Sequence, residues 1–222
     1  MIKGIIMAGG LGTRLYPTTK VVNKHLLPIF NKPLIFYPIS VLLLSGVKNI
    51  LIITKKEDYE SFKKLLDDGS HLGIKISYKF QKRPGGIPEG IVLSEDFVGK
   101  DKFIFALGDN IFFGEKFSKI LENIKNFKNG CVLFTSRVND PKRFGILYKD
   151  KKNNLKKIVE KPKKPLNNLA VTGLYIYDHL AIKYAKTLKR SNRKEKEITD
   201  LNNIYIKKRK PKKLSWVDHF LG

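Results

Sequence analysis

Cysteine is nearly absent: Cys131 is the single one among 222 residues. One thiol excludes an internal disulfide framework and any site built from several thiolates, and it fits a reducing, cytoplasmic setting. Cys131 lies in an apolar run, where a buried structural thiol is the expectation. Long hydrophobic runs are also missing, none approaching the roughly eighteen residues that span a bilayer, so no membrane partner is expected. The opening Met1-Ile-Lys-Gly-Ile-Ile-Met-Ala-Gly-Gly10 is too short in its apolar part for a signal peptide and lacks a cleavage region. Histidine is scarce too. His25, His71, His179 and His219 have no metal-ligand spacing, and no Ser-His-Asp or Cys-His pattern accompanies them.

Acid is in short supply, with 20 Asp and Glu against 44 Lys and Arg, a formal net charge of +24. Such an excess ordinarily points to nucleic acid or an anionic surface. Arginine, however, is the scarce base, with 7 Arg against 37 Lys. Base readers and bidentate phosphate clamps favour the planar guanidinium. The runs Lys151-Lys152, Lys156-Lys157 and Lys207-Lys208-Arg209-Lys210 carry no interleaved aromatics of the kind a single-strand stacking platform uses. No specific nucleic-acid partner is expected, only weak, salt-sensitive sticking to polyanions.

What is present is enough for a core. A chain of this length buries roughly 70% of its unfolded surface and needs no staple. Residues 2–7 read as a buried strand entering a Gly-rich loop, and 39–46 as a buried helix stopped by glycine. Residues 49–54 are the next strand. Tyr59, Phe62, Leu65 and Leu66 share a helical face, and 74–80 and 103–107 are further strands. Phe117, Ile120, Leu121, Ile124 and Phe127 form an apolar stripe at helical spacing. Alternation of strands and helices over the first 135 residues predicts an α/β fold with a doubly wound, mainly parallel, Rossmann-like sheet. Beyond residue 136, strands near Ile146, 157–160 and 170–177 precede helices at 179–188 and 199–208. They predict a smaller mixed lobe packed beside the sheet, within one domain spanning 1–222.

Ligands of such sheets bind at the carboxyl ends of the strands. The loop Gly9-Gly-Leu-Gly-Thr-Arg14 follows the first strand at that end. Its glycines let backbone N–H groups approach an anion. A Walker loop is excluded because no Lys follows Gly12, and a dinucleotide fingerprint because Leu15 stands where the third glycine belongs. Glycines this dense also occur in a structural turn, but Arg14 and Lys24 beside them favour a phosphate pocket.

Gly9-Gly-Leu-Gly-Thr-Arg-Leu-Tyr-Pro-Thr-Thr-Lys-Val-Val-Asn-Lys-His-Leu-Leu-Pro28, followed by Asn31-Lys-Pro-Leu-Ile35, resembles the signature of the sugar nucleotidyltransferases. Within them it is similar to the glucose-1-phosphate thymidylyltransferases. Further matches follow in order: Asp68-Gly-Ser70, Gly73, Gln81, Leu107-Gly-Asp-Asn-Ile111, Asn139-Asp-Pro141, Gly145, Glu160-Lys-Pro162, Val171-Thr-Gly173 and Glu197-Ile-Thr-Asp200. One such tripeptide would be weak. The ordered set is specific.

The resemblance implies joining of dTTP and glucose 1-phosphate to give dTDP-glucose and pyrophosphate, with Mg²⁺ as cofactor. It divides the chain into a nucleotide-binding core, 1–135, and a sugar-binding lobe, 136–222. Arg14 and Lys24 would be catalytic, on the leaving pyrophosphate and the α-phosphate respectively. Gly9, Gly10, Gly12 and Thr13 would line the triphosphate loop, and Gln81 with the turn at Gly86 the base edge. Pro88 stands where relatives usually carry alanine. Asp109 and Asp218 would hold the metal. Gly145, Glu160, Thr172 and Gly173 would shape the sugar site, and Lys161 would hold the sugar phosphate. Each residue also has a plain structural reading: a solvated lysine, a turn aspartate, and for Glu197 a helix-entry charge.

The tail departs from the pattern. Trp216 and Asp218 are kept, His219 replaces the usual threonine, and the helical extension that carries oligomer contacts in relatives is not in the sequence. A homo-oligomer is usual in the family, and the oligomeric state of this chain stays open. Two alternatives stay open: a shortened relative that binds nucleotide without turnover, and a basic nucleic-acid-binding protein.

Overall fold

The computed structural model describes residues 1–82, 85–114, 117–208 and, for the backbone, 216–218. In chain order the strands and helices are β1 Ile2–Met7, β2 Pro28–Ile29, β3 Lys32–Pro33, α1 Phe36–Leu44, β4 Asn49–Thr54, α2 Tyr59–Leu66, β5 Lys75–Phe80, α3 Ile87–Leu93 and α4 Glu95–Val98. They continue with β6 Lys102–Leu107, α5 Phe117–Asn123, β7 Cys131–Arg137, β8 Gly145–Lys149, β9 Leu155–Glu160, β10 Leu169–Tyr177, α6 Leu180–Thr187, α7 Ile198–Lys208 and β11 Trp216–Asp218.

The main sheet runs β11-β7-β10-β6-β1-β4-β5. Strands β6, β1, β4 and β5 are parallel, and β11 is parallel to β7. One strand breaks the pattern. β10 lies antiparallel between β6 and β7, so the C-terminal third of the chain supplies a central strand rather than a body beside the sheet. β8 and β9 pair as an antiparallel arm joined to β10 through Ile146 and Ala170.

Period-two alternation sends neighbouring side chains to opposite faces. Ile6, Ile52, Ile104 and Ala106 join α1, α2 and α5 on one face, around Ile39, Leu42, Phe62, Leu66 and Leu121. Ile5, Leu51, Phe103 and Phe105 join α3, α6 and α7 on the other, around Ile91, Ala181, Leu201 and Tyr205. Both faces of the sheet are thus covered by helices, the doubly wound arrangement predicted from the alternation of elements.

Helix α1 starts at Phe36, three residues before the expected start, and takes in Pro38. A first-turn proline removes only an N–H that has no intrahelical partner anyway. The helix stops at Gly46, whose φ of 77° and N–H bond to the Leu43 carbonyl give the expected glycine C-cap. Pro88 likewise falls in the first turn of α3, so the proline that departs from relatives costs the helix no hydrogen bond.

Candidate active site

β1, β4, β5 and β6 all end at one edge, and the glycine loop lies on it. The loop is tied down twice at its start and its middle. Ala8 N–H donates to the Ile53 carbonyl at 2.7 Å, and Thr19 Oγ1 donates to the Gly12 carbonyl at 2.9 Å. Gly12 has a φ of 63°, and a Cβ there would meet Thr19 Cγ2 at 2.8 Å, so both backbone and space require glycine. Thr13 and Arg14 form one turn of 3-10 helix and are exposed.

Asn23 organises the next step. Its amide donates to the Ala8 carbonyl at 3.2 Å and to Asp58 Oδ2 at 2.6 Å. Its Oδ1 accepts from His25 N–H at 3.0 Å and lies 2.7 Å from His25 Nδ1. With the Asn23 amide nitrogen committed to Ala8, its oxygen faces the ring, so Nδ1 carries the hydrogen. His25 is 1% exposed. Burial first, then the neighbouring Lys24 charge, lowers its pKa to about 4, which keeps the imidazole neutral.

That ring packs against Gly108. A Cβ at Gly108 would lie 2.6 Å from His25 Cδ2 and 3.1 Å from the Met7 carbonyl. The contact brings the turn after β6 close to the turn that carries Lys24, and Lys24 Nζ forms an ion pair with Asp109 Oδ2. Partial burial opposes ionisation of Asp109. The Lys24 hydrogen bond and charge outweigh it and hold the carboxyl below its ordinary pKa. Asn110 extends the connection, its amide donating to Asp109 Oδ1 at 3.1 Å while its Oδ1 accepts from Gly173 N–H at 3.1 Å.

Gln81 follows β5 and is 7% exposed, with its N–H on the Thr54 carbonyl at 2.9 Å. Its Oε1 would lie 3.1 Å from a Cβ on Gly9, so the side chain sits against the start of the loop. Gln81 Nε2 and Thr54 Oγ1 are buried with no hydrogen-bond partner among the described residues. A native fold leaves few such groups. Asn202 Nδ2, in α7, is a third such atom.

The other candidates form a second cluster. Gly145 pairs with Glu160 across β8 and β9, and a Cβ at Gly145 would lie 3.0 Å from Thr199 Oγ1. Thr199 donates to Glu160 Oε2 at 2.5 Å, and Arg193 Nη1 donates to Glu160 Oε1 at 3.2 Å. Lys161 is exposed, with a φ of 42°. Glu197 is 9% exposed and accepts from Ser191 Oγ at 2.7 Å and Arg193 Nη1 at 3.4 Å. It is more than a helix-entry charge.

Thr172 is fixed by the sheet. Its hydroxyl donates to the Phe134 carbonyl at 3.0 Å, inside a bulge where four steps of β10, Val171 to Tyr175, match two of β7. The bulge offsets Gly173 toward Asn110. Asp218 has its backbone opposite Thr135 in β11, at the same sheet edge as Asp109; its carboxylate and His219 lie outside the described residues. Among the described residues no group of three or more His, Cys, Asp or Glu is arranged to hold a metal, and no helix is long and apolar enough to cross a membrane.

The model of the nucleotidyl transferase family matches residues 3–218. The chain belongs to the nucleotidyl transferase family. It is 48% identical over 205 residues to the glucose-1-phosphate thymidylyltransferase of Neisseria meningitidis serogroup A, covering 92% of this chain and 71% of the relative. It is 47% identical to the enzyme of the same name from Xanthomonas campestris pv. campestris, over 92% and 69%. A Bacillus anthracis protein described as a glucose-1-phosphate thymidylyltransferase, solved with sucrose, superimposes with a TM-score of 0.89 at 41% identity over 99% of this chain and 87% of that one. Asn23, His25, Asn110, Arg193 and Thr199 stand in this candidate site without having been assigned roles from sequence. Asn23, His25, Asn110 and Thr199 all lie inside quoted motifs, so the signal was there; Arg193 had none.

Proposed function

We propose that this nucleotidyl transferase is a glucose-1-phosphate thymidylyltransferase, converting dTTP and glucose 1-phosphate to dTDP-glucose and pyrophosphate. A phosphate oxygen of the sugar 1-phosphate attacks the α-phosphorus of dTTP. The bond to the β-phosphate bridging oxygen breaks, and pyrophosphate leaves with that electron pair. The protein's task is charge neutralisation and alignment. The observation that carries the reading is the meeting of the Lys24–Asp109 pair with the Gln81 side chain around one glycine loop.

In this reading the loop N–H groups and Arg14 hold the triphosphate, and Lys24 neutralises charge on the α-phosphate. Gln81 faces the base edge. Glu160 accepts from sugar hydroxyls, and Lys161 neutralises the sugar phosphate. Gly10, Thr13, Gly86, Gly145 and Gly173 allow the close approach of ligand and backbone.

The residues also fit Mg²⁺. Asp109 is kept ionised and already has a cation, the Lys24 ammonium, beside it. Mg²⁺ typically takes one or two carboxylates and completes its shell with phosphate oxygens and water. Asp109, with Asp218 of β11, would hold it, and the bound ion would supply charge neutralisation for the triphosphate.

The test is pyrophosphate release from glucose 1-phosphate with dTTP, UTP, CTP and ATP in turn. The highest kcat/KM is expected with dTTP. No release with any nucleotide would remove the reading, and a clear preference for another base would reassign the nucleotide while leaving the reaction class.

A further inference from the structure

The segment between α6 and α7 spans both halves of the site. On the nucleotide side, Lys196 N–H donates to the Gly85 carbonyl at 3.0 Å. The Lys196 carbonyl oxygen then presses on Gly86, where a Cβ would lie 2.0 Å from it at a φ of 94°. On the sugar side, Arg193 reaches Glu160 and Glu197, and Ser191 reaches Glu197. Residues 188–197 have no helix or strand of their own. Ser191 N–H bonds to the Glu195 carbonyl at 2.8 Å and Lys194 N–H to the Ser191 carbonyl at 2.9 Å, while Lys194 takes a φ of 61°. Such a loop needs an outside anchor to keep a defined distance between two pockets.

Arg190 adds an anchor to α3. Its Nη2 donates to Glu89 Oε1 in the first turn of α3 at 2.9 Å, and its Nη1 donates to the Lys194 carbonyl at 3.3 Å. Glu89 itself leans over the same turn, its carboxylate filling the space where Gly85 would carry a Cβ. One guanidinium thus joins the helix that follows the nucleotide turn to the loop that carries the sugar-side charges. A planar fork makes the two bonds from separate nitrogens in fixed directions, whereas an ammonium must make both from one point.

We propose that Glu89 and Arg190 form a clasp that sets the spacing between the nucleotide turn and Arg193, Glu160 and Glu197. They are positioning residues for the sugar half of the ligand. The inference rests on the thymidylyltransferase reading, because the loop must face a ligand that spans both halves. The pair is partly exposed, with side chains 42% and 24% accessible, so its contribution to overall stability is small. Its effect comes through geometry, where small displacements of binding groups cost much more than the contact itself.

The experiment is calorimetry of the full chain with dTDP-glucose and with dTTP, alongside steady-state pyrophosphate release. Arg190→Met and Glu89→Gln are expected to weaken dTDP-glucose and raise KM for glucose 1-phosphate about tenfold. Binding of dTTP should change less than about twofold, and the melting temperature should stay near wild type. Arg190→Lys should fall between. Lys186→Met is the control: it removes an ion pair of 2.5 Å to Glu95 between α6 and α4 without touching the loop, and should leave both affinities unchanged. If wild type binds dTDP-glucose and Arg190→Met binds it equally well, or Lys186→Met does equal damage, the clasp is overturned. A wild-type chain that ignores dTDP-glucose would defeat the functional reading and the clasp with it.

Discussion

In the proposed reading, the nucleotide and sugar halves of the site treat their polar groups in opposite ways. On the nucleotide side, buried scaffolding stops just short of the ligand. Asn23 and His25 are hydrogen-bonded, yet Gln81 Nε2 and Thr54 Oγ1 are left without partners among the described residues, and Arg14 is exposed. On the sugar side the acids are already engaged: Glu160 accepts from Thr199 and Arg193, and Glu197 from Ser191 and Arg193. Leaving a buried amide unpaired costs about 1–3 kcal/mol, a cost that a turn of the Gln81 side chain toward a bound base would remove. An acid fixed by two donors offers only its remaining lone pairs, already aimed. One side waits for its hydrogen bonds; the other has its acceptors set in advance.

The Lys24–Asp109 pair is where the comparison is easiest to break, because there the protein supplies both charges itself. Asp109→Asn should lower kcat for pyrophosphate release on the order of 10³-fold, as expected for loss of a transition-state electrostatic contact. Freed from its carboxylate, Lys24 should bind metal-free dTTP more tightly than in wild type, measured by calorimetry. Slower turnover with tighter metal-free binding identifies the ion pair as one that ligand displaces. Wild-type turnover in Asp109→Asn would show that the pair is surface decoration.

Gln81→Met sharpens the contrast from the other direction. The substitution keeps length and burial but removes the amide, whose Nε2 has no partner among the described residues. Affinity for dTTP should fall about 10- to 100-fold, the equivalent of one lost hydrogen bond in a closed pocket. Stability of the free chain in urea should hold or rise. Loss of stability and affinity together would mean that the amide supports the fold, and the nucleotide side would then be no more open than the sugar side.

Sequence carried the nucleotide side further than the sugar side, for a physical reason. The loop, Lys24 and Asp109 lie in short motifs at strand ends, where glycine spacing reports backbone geometry directly. Alternation of buried strands and helices gave the parallel core for the same reason: its signals are local. β10 entering the sheet between β6 and β7 is a pairing across the chain, and no local pattern in 169–177 names its neighbours. The run 131–137 reads as apolar without showing that it is β7. The hairpin at 28–33 and the helices within 87–98 are too short for a clear period. Thr172 was legible as a motif residue but not as the hydroxyl that holds a bulge, since that job depends on the Phe134 carbonyl. Arg193 and Arg190 sit among many cations in a chain of 44 Lys and Arg, and only contact separates them from solvated charges.

The smallest effect is expected where the sugar side is most fully engaged. Thr199→Val keeps the shape of the side chain beside Gly145 and deletes the 2.5 Å donor to Glu160. Glu160 retains Arg193, so the carboxylate stays paired and the fold should lose only about 1 kcal/mol in urea denaturation. Its orientation, though, is then held from one oxygen only. KM for glucose 1-phosphate should rise about fivefold, with kcat and KM for dTTP near wild type, because the lost bond acts on sugar binding rather than on the α-phosphate. Thr199→Ser, which keeps the hydroxyl, should restore the sugar KM. An equal rise in both Michaelis constants would contradict the division into two halves, since an acid set only for the sugar has no reason to change the hold on the nucleotide.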